Sequence, residues 1–572
     1  MTDPQLVLAE GVQRALAAAF GPEYAAEDPL IRPSQFADYQ ANVAMSLARR
    51  LGRAPREVAQ AIADNIDIPG TVEISGPGFV NLTLSDGWLA AQAAEQLADD
   101  RLGVPVETPA TVVVDYSAPN AAKEMHVGHL RTTVVGDALV RVQAHLGHRV
   151  IRQNHLGDWG TPFGMLIEHL LDMGEAAAVA QLEAGEGNPY YQAARAKFDS
   201  DPAFNERARA RVVTLQAEDP ETMRLWHIFM NATIRYFNKV YTELGVTLTD
   251  DDIAGESMYN HMLAQVCDEL ESRGIAVISD GALCVFPPGF TGREGQPLPF
   301  MIRKSDGGYG YATTDLATIR YRIQDLKADR IIYVIGVTQS LHLQMLFASA
   351  RLAGWLPDEV RAEHVQIGSV LGSDGKMFKT RAGKSIKLLE LLEEAETRAA
   401  AVLVDRDYDE ATRAEIGHAV GMGAVKYADL SVSHDSEYVF DFDRMLALTG
   451  NTGPYLQYAT ARIRSIFRRG GFDPAEPHGP IVIGHPAERA LALQLLGFGA
   501  VVAEVGEANA PHKLCAYLFD LASAFTTFYE NCPVLKADSE EDRQSRLALA
   551  ALTLRVLVQG LDLLGIEVPE RM

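Results

Sequence analysis

The sequence predicts an α/β protein: a Rossmann-type domain on a parallel sheet, carrying an insertion, with a small α+β domain before it and an all-α bundle after it. Three observations carry this expectation. First, the β-branched run Thr111–Val114 ends in a turn-rich segment, and a helical pattern then starts at His126-Val127-Gly128-His129. Strand, polar loop and helix start make the place where an open parallel sheet binds a nucleotide. Second, strand-like runs RIIYVIGV (ending in Val337) and HVQIGSVL (ending in Leu371) alternate with helical patterns. Third, strand signals nearly vanish after about residue 440, and long helical patterns run to the C-terminus.

The elements follow in order. Residues 1–108 hold the helical patterns LVLAEGVQRALAAAF, NVAMSLARRLG and PREVAQAIADNI, then VEISGPGFVNLTLS, which reads as strand, turn and strand around Gly76-Pro77-Gly78. Residues 109–440 are the α/β domain, interrupted at about 171–295 by an Ala-, Glu- and Arg-rich helical insertion with strand-like pieces at Ile275–Ile278 and Ala282–Phe286. The α/β pattern resumes at Tyr309–Leu316. Residues 441–572 carry TGPYLQYATARIRSIFRRG, ALALQLLGFGAVVAEV, PHKLCAYLFDLASAFTTFYENC and RLALAALTLRVLVQGLDLLG, about four helices that would form a bundle.

At 572 residues the chain is too long for one core. It shows no basic n-region followed by an apolar h-region, and no uninterrupted apolar stretch reads as long enough to span a bilayer. The expectation is a cytoplasmic protein with no membrane partner. Cys267, Cys284, Cys515 and Cys532 form no C-x-x-C pair, which excludes a zinc ribbon or disulfide framework and leaves free thiols. A formal net charge of −25 argues against a general nucleic-acid binder, yet leaves room for a locally basic groove on an acidic body.

His126 and His129 stand at i and i+3 near a helix start. A metal would need a third ligand and the H-E-x-x-H pattern, which is absent. Two capping histidines are another reading. The favoured one makes both imidazoles donors to a triphosphate, with Gly128 letting the nucleotide approach the backbone and the helix N-terminus adding positive potential. In LGSDGKMFKTRAGKS, Lys376, Lys379, Arg381 and Lys384 fall among three glycines. The P-loop reading fails because Phe378 stands where its first glycine belongs. What remains is a mobile cationic loop suited to a leaving pyrophosphate, or a solvated basic loop. Tyr311 and Asp315 lie four apart at a predicted helix start, where a carboxylate can also serve only as an N-terminal helix residue. If the pocket takes a cation, Asp315 and Asp115 are the anions to receive it.

Together these motifs resemble class I aminoacyl-tRNA synthetases, and in detail the arginyl-tRNA synthetase family. HVGH matches the H-I-G-H signature within SAPNAAKEMHVGH. KMFK (Lys376–Lys379) matches K-M-S-K with Phe378 in place of serine. FADYQANVAMSLA, NTGPYLQYATARIRS and the terminal VPERM resemble the same family, so the resemblance spans essentially the whole chain. It implies ATP-dependent ligation of L-arginine to tRNA(Arg) through an arginyl-adenylate, with Mg²⁺ on the phosphates, tRNA present for the first step, and a monomer.

The site residues it implies are these. His126, Gly128, His129, Lys376, Met377 and Lys379 hold ATP. Asp115, Ser117, Asn120, Tyr311, Asp315 and Gln339 hold arginine. A planar fork of donors wants a carboxylate facing it, so no editing domain is required. The first module is expected at the tRNA elbow through Phe36, Tyr39, Gln40 and Asn42. The bundle is expected at the anticodon through Tyr455, Tyr458 and Arg462, with Tyr529 and Met572. Tyr455, Tyr458 and Arg462 share one helix face, which suits base stacking, and a core stripe is an equal reading for one of the tyrosines. A small nucleotidyltransferase with the same signature would lack the bundle. Intact His126, His129, Asp115 and Asp315 argue against an inactive paralogue.

Overall fold

Val112, Val113 and Val114 are buried because their strand is an inner one, covered on both faces. The computed structural model describes residues 3–183, 187–372, 374–376, 378, 386–402, 408–476 and 478–572. In it, Thr111–Asp115 pairs in parallel with Arg149–Gln153 on one side and Arg330–Gly336 on the other, and Arg361–Ile367 extends the sheet beyond the latter. The chain leaves Thr111–Asp115 through the helix Val127–His145 towards one neighbour, then returns far along the sequence to build the other. The strand order therefore reverses between Thr111–Asp115 and Arg330–Gly336. Open α/β sheets bind ligands at that reversal, beyond the carboxyl ends of the strands.

The segment HVQIGSVL, expected as one strand, is two. The sheet strand stops at Ile367, and Val370–Leu371 pairs instead with Tyr438–Val439. The break is at Gly368, whose N–H donates to His434 O at 2.8 Å and where a Cβ would lie 2.5 Å from Ser436 O. The insertion holds Glu175–Glu183, Gly187–Ser200, Pro202–Gln216 and Pro220–Leu244. Asp201 and Asp219 cap the last two, each followed by a proline that suits the first helical turn. The pieces read as strands at Ala276–Ser279 and Ala282–Val285 form an antiparallel sheet whose third member, Phe300–Arg303, was missed in the sequence. Tyr311–Gln324 is a helix.

In the first module, Gly70–Ser75 and Phe79–Leu84 form the expected hairpin, joined by two further short strands, Tyr39–Ala41 and Ile31–Pro33. Its core is completed from far away by Leu496. Arg489 bonds Asp38 at 2.9 Å, Asp86 at 3.0 Å and Leu84 O at 2.6 Å across the same joint. The C-terminal part holds Gly453–Gly470, Pro486–Leu496, Phe498–Ala508, Pro511–Asn531 and Glu540–Leu563. One of the four expected helices is thus split at Gly497. Pro486–Ala508 also corrects a reading of composition: it is long and apolar enough to cross a membrane. Here its buried Leu491, Leu495, Phe498, Val502 and Val505 join the core of the bundle.

Candidate active site

A cavity of about 690 Å³ opens where the strand order reverses, lined from the ends of both central strands, from the helix start at His126 and from the helix start at Tyr311. It gathers Asp115, Ser117, Asn120, His126, Gly128, His129, Tyr311, Asp315 and Gln339, residues separated by more than two hundred positions. Gly157 packs against Asn120, whose side-chain oxygen occupies the space a Cβ at that glycine would need.

His126 is the N-cap of Val127–His145: its Nδ1 accepts from Gly128 N at 3.1 Å, while His129 Nδ1 accepts from His126 N at 3.1 Å. The capping reading is therefore correct, and it serves the donor reading. A ring whose Nδ1 accepts must carry its proton on Nε2. Burial, with the Lys123 charge, lowers the His126 pKa, and burial chiefly, with His126 nearby, pushes His129 down to about 3. At neutral pH the two rings, 4.1 Å apart, are uncharged Nε2–H donors at the positive end of a helix. Gly128 has a second reason to lack a side chain, because a Cβ there would lie 2.8 Å from His126 Cε1.

Elsewhere in the lining, Asp315 Oδ2 accepts from His342 Nε2 at 2.6 Å and Oδ1 lies 3.8 Å from His155 Nε2. Tyr311, 66% exposed, meets the His342 ring edge-on. Glu256 faces the same space; burial, then the Asp315 and Asp158 carboxylates, push it up to about 8. Asp115 is buried and already paired: Arg322 Nη2 donates to its Oδ2 at 2.7 Å, while Oδ1 has no partner among the described residues. Arg322 is itself held by Gln153 at 2.6 Å and by the Tyr333 ring, 4.9 Å away. Ser117 lines the cavity, but its hydroxyl is taken up by Tyr241 and Thr133. Asn120 and Gln339 are exposed at the rim. Sequence reasoning missed Glu256, His155 and His342. Each is a lone residue in its own segment, and only HLQ after Gln339 hinted at the last.

Of the cationic loop, Lys376 is exposed and does not line the cavity, whereas Phe378 does. Met377 and Lys379 lie outside the described residues. Phe378 N donates to Val370 O at 3.0 Å, and its ring stacks on Phe440 at 5.0 Å. The residue that departs from the signature is thus the one that anchors the loop's base.

The comparisons with known proteins follow this geometry. Residues 92–442 match the family model described as tRNA synthetases class I (R), catalytic domain; residues 456–572 match the DALR anticodon binding domain, and residues 6–84 the arginyl tRNA synthetase N terminal domain. Arginine--tRNA ligase of Thermobifida fusca is 65% identical over 577 residues, covering both chains in full, and that of Frankia casuarinae is 51% identical over 98% of each. The chain belongs to the arginyl-tRNA synthetase family. Among solved structures, arginyl-tRNA synthetase from Plasmodium falciparum matches with a TM-score of 0.85 at 27% identity, and that from Thermus thermophilus with 0.80 at 26%, each over the whole of both chains.

For an arginyl-tRNA synthetase family member, the residues expected at tRNA fall in distinct settings. Phe36 is 82% exposed at a loop tip. Gln40 is tied by its side-chain N–H to Asn81 at 2.8 Å, and the side-chain oxygen of Asn42 is buried without a partner among the described residues. Tyr455 packs on Phe519, whereas Tyr458 is 38% exposed beside Met572. Arg462 lies 4.5 Å over the Tyr529 ring. Tyr455 and Tyr529 are both partly buried against the core, and Tyr458 is the exposed member of the group.

Proposed function

We propose that this chain ligates L-arginine to tRNA in the cavity at the sheet's strand-order reversal. The chemistry is that of its family. The arginine carboxylate attacks the α-phosphate of ATP, pyrophosphate leaves, and arginyl-adenylate forms. A ribose hydroxyl of the tRNA's terminal adenosine then attacks the activated carbonyl, and AMP leaves.

The observation that carries the assignment is that one cavity is lined both by two neutral Nε2–H donors at a helix N-terminus and by the carboxyl groups of Asp315 and Glu256. His126 and His129 donate to the α-phosphate as it becomes five-coordinate, where fixed donors are worth most. Lys376, Met377 and Lys379 belong to the loop that neutralises the leaving pyrophosphate. Asp315 and Glu256 receive the guanidinium, with Tyr311 closing the entrance. A planar fork satisfies two carboxylates in a way an ammonium cannot. Asn120, Gln339, the free oxygen of Asp115 and the backbone at Ser117 hold the amino acid's own amino and carboxyl groups. Mg²⁺ rides on the triphosphate. Among the described residues the carboxyl groups lining the cavity are Asp115, Glu256 and Asp315, and Mg²⁺ is ordinarily held through phosphates and water.

The modules divide at about 108/109 and 440/441. The first, with Phe36, Gln40 and Asn42, meets the tRNA elbow. The last, with Tyr458, Arg462, Tyr529, Met572 and more weakly Tyr455, meets the anticodon. The family resemblance supports a cytoplasmic monomer. The deciding experiment is charging of total tRNA with each labelled amino acid in turn. Arginine alone is expected to be incorporated, and charging with another amino acid instead would overturn the assignment.

A further inference from the structure

Two consecutive residues in the cavity loop, Ser117 (φ +67°) and Ala118 (φ +45°), adopt left-handed backbone conformations although neither is glycine. A Cβ makes this conformation unfavourable, so the surroundings must enforce it. The contacts that hold it come from Asn154, from Thr133 and from the inserted helix Pro220–Leu244, to which sequence reasoning gave no role.

Tyr241 of that helix sits with its hydroxyl 2.9 Å from Ser117 Oγ and 2.9 Å from Asn154 Nδ2. The other atom of the same amide, Asn154 Oδ1, accepts from Ala118 N at 3.1 Å. Thr133 Oγ1 lies 2.9 Å from Ser117 Oγ and 2.6 Å from His129 O. The His129 carbonyl can only accept, so Thr133 donates to it, and the same Thr133 hydroxyl is directed at Ser117 Oγ. Asn154 Nδ2 can only donate, so Tyr241 accepts from it and donates to Ser117. Burial pushes the Tyr241 pKa up to about 12, which keeps that proton in place. The result is one connected network: Asn154, Tyr241, Ser117, Thr133 and the carbonyl of His129.

We infer that Tyr241 is a positioning residue for arginine: its hydroxyl, between Asn154 and Ser117, holds the strained Ser117-Ala118 backbone in the shape that the amino-acid end of the cavity requires. This rests on the arginine assignment above. Tyr241 does not itself line the cavity, so it acts through the loop.

The test is steady-state charging by full-length chains carrying Tyr241→Phe, Ala118→Gly, and both. Tyr241→Phe is expected to raise the arginine KM by roughly five- to tenfold, the scale of one lost hydrogen bond that leaves a buried partner unpaired, with the ATP KM near wild type. Glycine enters the left-handed region without enforcement. In a chain already carrying Ala118→Gly, Tyr241→Phe is therefore expected to raise the arginine KM by about twofold at most. An unchanged arginine KM, an equal rise for ATP and arginine, or an equal effect in both backgrounds would each overturn the inference. Should Tyr241→Phe fail to fold, Asn154→Ala takes its place in the same comparison. A wild-type chain that does not charge arginine defeats the underlying assignment instead, which separates the two failures.

Discussion

His342 Nε2 stands 2.6 Å from Asp315 Oδ2, so the carboxylate proposed to receive arginine is held by a neighbour before any ligand arrives. The other oxygen looks toward His155 at 3.8 Å, too far for a hydrogen bond, and is free to turn to an incoming guanidinium. Asp315→Asn keeps the shape and removes the charge. It is expected to raise the arginine KM by roughly 30-fold or more, the scale of breaking a desolvated charge pair, while the ATP KM stays near wild type. Unchanged arginine kinetics would remove Asp315 from the pocket.

His129→Ala removes both a donor to the phosphate and the cap on the His126 N–H. Adenylate formation is expected to slow by roughly 10²- to 10³-fold, as when one preorganised donor is deleted, with tRNA affinity unchanged in a filter-binding assay. Gly128→Ala should resemble it, because the added methyl displaces the His126 ring. Loss of tRNA affinity in step with activity would assign both residues to folding instead.

Glu256 gives the site a pH dependence of known sign. Its carboxyl is pushed up to about 8 by burial and the neighbouring carboxylates, so in the empty site at neutral pH it is mostly protonated. Arginine binds the ionised form, so the arginine KM falls as pH rises through 8. The fall from pH 7 to 8.5 is roughly eightfold if only the ionised fraction is competent. Glu256→Gln should raise the KM and flatten this profile. A steep profile surviving the substitution would place the titrating group elsewhere. His129, far below neutrality, adds no slope in that window.

Phe378 and Phe440 stack at 5.0 Å with a 23° interplanar angle at the foot of the cationic loop. Phe378→Ser restores the usual signature residue and removes the stack, a change on the scale of about 0.5–1.5 kcal/mol. The ATP KM is expected to rise by roughly two- to tenfold, and Phe440→Ala should do the same. Since both truncations break one contact, the double variant should be scarcely worse than either single one. Full additivity would show that the two rings act separately.

Local pattern made half of the site legible. The strand Thr111–Asp115, its loop and the His126 helix are contiguous, so one short segment shows the nucleotide end. Tyr311, Asp315 and Gln339 came through motif resemblance, although nothing in their own spacing brings them to Asp115. Glu256, His155 and His342 were illegible because each arrives alone, positioned by long-range packing rather than by its sequence neighbours. Gly368 shows the same limit in the backbone: HVQIGSVL reads as one continuous strand, and only the pressure of His434 and Ser436 from a distant segment breaks it. Asp115 was read as a ligand-facing charge, and the buried Arg322 that neutralises half of it could not be seen from a helix two hundred positions away.

The joint between the two ends of the chain has a consequence for synthesis. Arg489 bonds Leu84 across a separation of 405 residues, and Leu496 seals the core of the first module. At a translation rate of about 5–20 residues per second, the first module leaves the ribosome roughly 20–80 seconds before its seal exists. Throughout that interval the part of its core that Leu496 covers is open to solvent. The last few helices to be made thus finish the folding of the part made first.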